Sequence, residues 1–372
     1  MAPSRDVVVV GAGIIGCAVA YELARRGASV GVIDDRGAGL GATQASAGML
    51  APFNEAPDGG PLLEIAARGL DVFDDFVARL CLDAGLPLNY RRDGTLDVAF
   101  DDARLSRLDQ TSALLSARGI GAERLDAREV HAYEPALSAA VAGGLLIPTQ
   151  GFVGATELTQ ALAAGARRHG AQMVEHGRVT RISAATGELT VFTERGALVA
   201  DAVVLAAGSW SSQIELDGCQ GRIPVAPVRG QLLQLQWSGT PLTRVVWGER
   251  CYVVPWRDGT VLVGATVEDA GFDERTTVAG VRELLAAICE LAPSAADATF
   301  AGARVGLRPA APDHVPIVGR SAAHPELIYA TAHYRNGVLL APLTALLVAD
   351  LLLDGRRDPL LDLMTPARFG GF

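Results

Sequence analysis

Short strand-like runs alternate with a helical pattern over the first part of the chain. Val7 to Val10 form a β-branched run that predicts a buried strand, and Cys17 to Arg26 place apolar side chains at helical spacing. Ala28 to Ile33 returns to a strand pattern and ends at Asp34. These patterns predict a unit of strand, turn, helix and strand.

Further along, helical patterns predict helices over residues 64–84, 102–118, 155–169 and 278–291 and from Val338 onward. The run from Val338 to Leu353 is short for a membrane span and contains Pro342 and Asp350, so we interpret it as a buried helix. Asp201 to Leu205 predicts a buried parallel strand that ends in small residues. Other runs have turn residues between them and predict antiparallel strands, at residues 94–100, 230–237, 251–255 and 259–266.

The expected fold class is therefore α/β plus α+β, with two domains. A discontinuous Rossmann-like dinucleotide-binding domain is predicted for residues 1–85, 149–223 and 304–372. An antiparallel-sheet substrate domain is predicted as an insertion, formed by residues 86–148 and 224–303.

The turn between the first strand and helix carries three spaced glycines. Gly11 permits the tight turn, Gly13 lets a pyrophosphate approach the backbone, and Gly16 lets the helix pack closely on the strand. The acid at Asp34 can accept hydrogen bonds from both hydroxyls of an adenosine ribose, although the neighbouring Asp35 leaves open which acid does so. An acid favours FAD or NAD over NADP, and this unit alone does not choose between FAD and NAD.

Composition removes several classes of function. The net charge of −10 argues against a nucleic-acid partner. The chain contains no lysine, which excludes Schiff-base chemistry and pyridoxal phosphate attachment. Its cysteines lack CxxC spacing, so we expect no metal site and no disulfide framework, and a cytoplasmic location fits best. They are Cys17, Cys81, Cys219, Cys251 and Cys289.

Motifs along nearly the whole length resemble the D-amino-acid oxidase superfamily of flavoproteins, and most closely the bacterial glycine oxidases of thiamin biosynthesis. In chain order they are GAGIIG, ATQASAGML, YRRDGTL, AAGSW, PVRGQLLQL, CYVVP, VGATVEDAGFD, GLRPAAPDHVPIVG and ATAHYRNGVLLAP. The resemblance implies that the cofactor is FAD, bound noncovalently in the Rossmann-like domain. The absence of lysine separates the chain from the monomeric sarcosine oxidases, which use a lysine to activate oxygen.

The resemblance also implies a substrate site. Tyr252 would hydrogen-bond the substrate carboxylate, and Arg308 would bind it with a two-pronged guanidinium. Arg335 is the second cationic candidate, and His333 is the weakest, because a single histidine in a turn is more often structural. The alternatives are a core tyrosine, a structural ion pair and a surface arginine. Cofactor contacts are expected from Gly11, Gly13, Ile14, Ile15, Gly16, Asp34, Thr43, Gln44, Ala47, Gly48, Met49, Val179, Ala207, Gly208, Trp210, Arg308, His333, Tyr334, Arg335, Asn336, Gly337 and Val338.

By this resemblance, glycine or a similar small amino acid or amine passes a hydride to the flavin, and O2 reoxidises the flavin to give hydrogen peroxide. The resulting imine hydrolyses or is used downstream, for instance by a thiazole synthase. A homo-oligomer without a membrane partner is expected. Two alternatives stay open: a dehydrogenase of D-amino acids, secondary amines or 2-hydroxy acids with another electron acceptor, and a non-catalytic flavin-binding subunit.

Overall fold

The computed structural model describes residues 5–55, 59–175, 177–185, 188–218, 221–238, 242–370 and 372, so that Cys219 lies outside the described residues. The strands are β1 Arg5–Val10, β2 Val30–Ile33, β3 Met49–Leu50, β4 Tyr90–Arg91, β5 Thr95–Ala99, β6 Glu123–Asp126, β7 Gly143–Ile147, β8 Gly151–Val153, β9 Gln172–Val174, β10 Val179–Ala185, β11 Glu188–Thr193, β12 Gly196–Leu205, β13 Glu215–Leu216, β14 Ala226–Gln236, β15 Val245–Trp247, β16 Tyr252–Pro255, β17 Thr260–Gly264, β18 Thr299–Ala310, β19 Ile317–Arg320 and β20 Leu327–Thr331. The α-helices are α1 Ile14–Arg25, α2 Pro52–Glu55, α3 Pro61–Asp71, α4 Phe73–Ala84, α5 Asp102–Ser116, α6 Ala127–Tyr133, α7 Ala155–Arg168, α8 Val278–Leu291, α9 Gly337–Leu353 and α10 Leu360–Leu363. Short 3-10 helices cover Ala42–Ala45, Gly208–Gln213, Pro293–Asp297 and Pro366–Phe369.

Strand β1 lies inside a nine-stranded sheet of order β13-β10-β11-β12-β1-β2-β9, with β20 beside β12 and β19 beside β20. It runs parallel to both β2 and β12. Because side chains alternate along a strand, Val7 and Val9 pack into the core with helices α1, α7 and α9, whereas Val8 and Val10 pack with the hairpin β10–β11 on the other face. The predicted strand, helix and strand at the start of the chain are confirmed.

Helix α9 packs along α1 and is buried over most of its length. Its apolar residues continue around the whole circumference, as expected for a helix inside a core. Among the residues that the structure describes, no helix is both long and apolar enough to cross a membrane. The prediction of a buried helix over this run is confirmed.

An eight-stranded sheet of order β18-β14-β17-β16-β15-β5-β7-β6 forms the second layer. Its strand pairs are antiparallel except for β15 and β5, which are parallel. Strands β14 and β18 pair from Ala226 opposite Ala310 to Gln236 opposite Thr299. The predicted domain boundary at residue 304 therefore falls inside β18, because this one strand belongs to the second sheet and also leads the chain to the cofactor side.

The single helix predicted over residues 64–84 is two helices, α3 and α4, that meet at Val72. Their partners explain the break, since α3 packs on α9 while α4 packs mainly on α7. Gly69 of α3 allows a close approach, because a Cβ there would lie 2.8 Å from Leu340 Cδ2.

Candidate active site

A cavity of about 490 Å³ lies where the two sheets meet. Its walls include the turn after β1, the end of β2 and the segment 206–210 that follows β12. Tyr252 of β16 and Arg308 of β18 also line it, so the second sheet contributes as well. The carboxyl ends of parallel strands are the usual place for a dinucleotide in a Rossmann-like sheet. The residues predicted for the cofactor and for the substrate therefore share one cavity.

Most of the predicted cofactor residues line this cavity. They are Gly11, Gly13, Ile14, Ile15, Asp34, Thr43, Ala47, Gly48, Met49, Val179, Ala207, Gly208, Trp210, Arg308, His333, Tyr334, Arg335, Asn336, Gly337 and Val338. Gly16 does not, because it packs against the turn: a Cβ there would lie 1.9 Å from the Gly11 carbonyl oxygen. Gln44 does not either, since its side-chain amide donates to the Leu40 carbonyl at 3.2 Å.

The turn has glycine at Gly11 and at Gly13 for different physical reasons. Gly11 has φ +103°, and a Cβ there would lie 2.5 Å from the Ala206 carbonyl oxygen, so the protein itself requires glycine. Gly13 has φ −66°, and the nearest atom to a Cβ would be Thr43 Oγ1 at 3.7 Å. The protein therefore has room for a side chain at Gly13, and the free space there belongs to the cavity.

The carboxylate of Asp34 is held on the glycine turn. Its Oδ2 accepts from the backbone N–H of Ala12 at 2.7 Å, and its Oδ1 accepts from those of Arg36 and Gly37 at 2.7 and 2.8 Å. Asp35 also lines the cavity but is exposed and makes none of these bonds. The structure therefore connects Asp34, of the two neighbouring acids, to the turn.

Arg36 was not singled out from the sequence, yet it closes one side of the cavity. Its guanidinium lies over the Trp210 ring at 4.4 Å and makes two hydrogen bonds to the Glu274 carboxylate, at 2.9 and 2.7 Å. Phe272 lies beside the same indole, with ring centroids 6.0 Å apart. The loop that follows β17 is therefore joined to the end of β2 across the cavity wall.

Arg308 is half-buried and lacks a carboxylate partner among the described residues. Its Nη1 donates to the carbonyls of Thr266 and Arg229, at 3.1 and 3.4 Å. Burial lowers the pKa of Arg308, but an arginine stays charged in a protein. A cation that is partly removed from water is stabilised by an acidic partner, so this guanidinium can receive an anion from the cavity.

Tyr252 lies within reach of the same charges. Burial raises the pKa of its phenol, while Arg308 and Arg335 act in the opposite direction. The hydroxyl is therefore protonated at neutral pH and can donate a hydrogen bond. Its ring also contacts the Trp247 ring, with centroids 5.3 Å apart.

Arg335 differs from Arg308, because it already has a carboxylate partner. Its Nε lies 2.8 Å from Glu55 Oε2, and the guanidinium lies 5.9 Å from the centre of the Trp247 ring. Burial raises the pKa of Glu55, and the charge of Arg335 opposes that shift. Sequence reasoning missed Glu55; the available signal was an acid five positions after Leu50, the last residue of the small-residue segment.

A buried polar network holds the short helix that carries Glu55. The backbone N–H of Phe53 donates to Gln150 Oε1 at 2.9 Å, and Gln150 Nε2 donates to Asn54 Oδ1 at 2.6 Å. Asn54 in turn donates to Asp97 of β5 at 3.2 Å. Glu55 is therefore fixed relative to the second sheet as well as to Arg335.

The segment before α9 bends sharply at Ala332 and Tyr334, which have φ +61° and +48°. His333 between them is buried and shares a hydrogen bond of 2.9 Å with Thr344 Oγ1. Burial lowers the pKa of His333 to about 3, so the imidazole is neutral at physiological pH. It lines the cavity without bringing a charge to it.

Residues 6–351 match the family of FAD dependent oxidoreductases called DAO. The chain belongs to this family. It is similar to the glycine oxidase of Bacillus licheniformis, at 32% identity over 94% of this chain and 93% of that protein. It is also similar to the Bifunctional protein ThiO/ThiG of Nostoc sp., at 35% identity over 96% of this chain and 54% of that protein. The chain therefore spans about half the length of the ThiO/ThiG relatives it matches.

Among solved structures, the crystal structure of glycine oxidase from Geobacillus kaustophilus matches with a TM-score of 0.93. The identity is 31%, and the match covers 98% of this chain and 99% of that one. The expected fold class, a Rossmann-like FAD-binding domain with an antiparallel substrate sheet, is confirmed.

The residues present fit FAD, the cofactor of this family. Gly13 keeps free space where a diphosphate needs to approach the N-terminus of α1, and the protein has no packing need for that glycine. Asp34 stands at the end of β2, where an adenosine ribose is held in this type of sheet. Small residues from Ala42 to Gly48 form a wall beside which a flat ring system can lie.

Proposed function

We propose that this chain is an amino-acid oxidase that holds FAD noncovalently and oxidises glycine or a similar small amine or amino acid. The observation that carries this proposal is the guanidinium of Arg308, which faces the cofactor cavity and has no carboxylate partner in the described part of the chain. A substrate carboxylate would supply the missing charge.

The surrounding residues support binding of one small carboxylate. Arg308 offers Nε and Nη2, and the protonated hydroxyl of Tyr252 offers a third donor. These groups orient the substrate so that its α-carbon faces the cofactor, which lowers the barrier by fixing the reacting atoms. FAD, when bound, supplies the two-electron chemistry by accepting a hydride and passing the electrons to O2.

The overall reaction balances without any other cofactor. The amino acid loses two electrons and two protons to become an imine, and O2 gains them to become hydrogen peroxide. Water then hydrolyses the imine to a 2-oxo acid and ammonia. The amine must be neutral when the hydride leaves, and no side chain is strictly needed as an acid or base.

The proposal extends to the use of the imine product, the location of the protein and its oligomeric state. The Nostoc relative, Bifunctional protein ThiO/ThiG, is matched over 54% of its length. This supports the expectation that a thiazole synthase uses the imine. We also propose a cytoplasmic homo-oligomer, as expected from the sequence.

The test measures flavin bleaching by glycine without oxygen and hydrogen peroxide formation with it. Wild-type protein is expected to show both, and glycolate, a carboxylate without an amine, should perturb its flavin spectrum. Arg308→Ala should lose all three responses at accessible concentrations. Arg304→Ala is the control, because Arg304 lies on the same face of β18 but donates to Gln234 Oε1 and to the Gln44 carbonyl, and it does not line the cavity.

Three outcomes contradict parts of the proposal. Bleaching without peroxide would make the protein a dehydrogenase with another acceptor. A bound flavin that no small amine or amino acid bleaches would make it a non-catalytic subunit. Arg308→Ala protein that still bleaches and still binds glycolate would make Arg335 the better carboxylate receptor.

A further inference from the structure

Two glycines of the second sheet lie directly beneath the two side chains that face the cavity. On β14, Val228 is opposite Arg308 of β18, so Gly230 lies two residues along on the same face. On β17, Gly264 is opposite Tyr252 of β16. The face that carries Arg308 and Tyr252 therefore has no side chain at these two neighbouring positions.

The side chains occupy the space that the glycines leave. A Cβ on Gly230 would lie 2.2 to 2.3 Å from Nη2, Cζ and Nη1 of Arg308. A Cβ on Gly264 would lie 2.3 Å from both Cζ and Oη of Tyr252. Real Cβ atoms essentially never approach other atoms within 3.0 Å, so even alanine would displace the guanidinium or the phenol.

A left-handed φ does not account for these glycines. Neither Gly230 nor Gly264 has φ between +20° and +160°, the region in which an L side chain is strained. Glycine in a strand is unfavourable relative to alanine, and a close approach by another group is one of the reasons for which it is found there. The approaching group in each case is a side chain of the proposed substrate site.

Backbone carbonyls beside the glycines hold the guanidinium in this place. Arg308 Nη1 donates to the carbonyl of Arg229, the residue before Gly230, and to that of Thr266, two residues after Gly264. The guanidinium therefore lies flat on the sheet with one nitrogen fixed, which leaves its other donors for a ligand.

We propose that Gly230 and Gly264 are positioning residues that form a floor beneath Arg308 and Tyr252. This floor sets the height and orientation of both donors relative to the bound carboxylate. The inference rests on the proposed role of Arg308 as carboxylate receptor.

The experiment is a double-mutant cycle of Gly230→Ala with Arg308→Ala in the FAD-loaded protein. In the wild-type background, Gly230→Ala should raise the glycolate dissociation constant at least tenfold and lower the Tm, with FAD content unchanged. In the Arg308→Ala background the methyl group enters vacated space, so its effect on Tm should largely disappear. Gly264→Ala with Tyr252→Ala should behave in the same way.

Gly306→Ala is the matched control. Gly306 lies on the same face of β18, but a Cβ there would meet Ala45 Cβ at 2.9 Å instead of Arg308. Its effect on Tm should be equal in both backgrounds.

Two results would overturn the inference. One is a glycolate dissociation constant of Gly230→Ala equal to that of the wild type. The other is a loss of Tm on Gly230→Ala that is the same in the wild-type and the Arg308→Ala backgrounds. If Gly230→Ala does not fold, the double variant with Arg308→Ala should fold, and its failure to fold would also count against the floor. If Arg308→Ala alone still binds glycolate, the proposed function fails, while the Tm cycle still reports on the floor.

Discussion

Replacing Gly13 should mainly weaken cofactor binding, whereas replacing Gly16 should mainly destabilise the fold. At Gly13 the nearest atom to a new Cβ is 3.7 Å away, so apo protein should fold. Gly13 is the N-cap residue of α1, where alanine is worse than glycine by about 0.5–1 kcal/mol. At Gly16 the Cβ would lie 1.9 Å from the Gly11 carbonyl oxygen, more than 1 Å inside normal contact. Strand and helix would have to separate, at a cost of about 3 kcal/mol or more.

The assay combines thermal unfolding of apo protein with an FAD titration followed by flavin fluorescence. Gly13→Ala should lower the apo Tm by only a few degrees and weaken FAD binding strongly, and Gly13→Val should yield protein without flavin absorbance. Gly16→Ala should lower the apo Tm much more. The reasoning is refuted if Gly13→Ala binds FAD with wild-type affinity, or if the two alanine variants lose the same apo stability.

Three further predictions concern the site. Tyr252→Phe should raise the apparent substrate constant by the equivalent of about 1.5–3 kcal/mol with a nearly unchanged flavin spectrum, and an unaltered constant would return Tyr252 to a core role. Arg308→Lys should keep weak turnover with a much higher substrate constant, because lysine retains the charge but not the planar pair of donors; wild-type kinetics would contradict this. His333 resists protonation when folded but not when unfolded, so its contribution to stability is complete above pH 6.5 and decreases as the pH falls toward about 3. Chemical unfolding should show that this group lowers the free energy of unfolding by roughly 1.4 kcal/mol between pH 7.5 and 5.5, and His333→Gln should abolish that pH-dependent loss. If the free energy of unfolding of His333→Gln depends on pH as strongly as that of the wild type, a buried neutral imidazole is contradicted.

The cofactor half of the site could be predicted because its signals are local in sequence. The glycines of the first turn and Asp34 lie within one strand–helix–strand unit, and their spacing follows from the geometry of that unit. The β-branched run from Val7 to Val10 likewise predicts a buried strand, and β1 is buried on both of its faces.

The substrate half could be predicted only in part, because its interactions join distant parts of the chain. The role of Glu55 depends on its ion pair with Arg335, which is 280 positions away in the numbering. The sequence alone does not show that these two residues meet. From the sequence alone, Gly230 and Gly264 are simply unfavourable residues within strands. Only the strand register shows that Arg308 and Tyr252 lie over them. The helix break at Val72 similarly depends on which helices lie against α3 and α4.

The different surroundings of the two arginines decide which one is expected to bind the substrate carboxylate. Arg335 lies 2.8 Å from Glu55, so an incoming carboxylate would compete with an acid that the network around Gln150 already holds in place. Within the described part of the chain, Arg308 is held only by neutral carbonyls on one nitrogen, so a carboxylate displaces no hydrogen-bond partner there. Breaking the ion pair between Arg335 and Glu55 would leave a charged group without its partner, which costs free energy. Binding a carboxylate to Arg308 breaks no ion pair, so Arg308 is the favoured receptor. Arg308 is a half-buried cation of the cavity for which the described residues supply no ion-pair partner, and this supports a small monocarboxylic amino acid as the substrate.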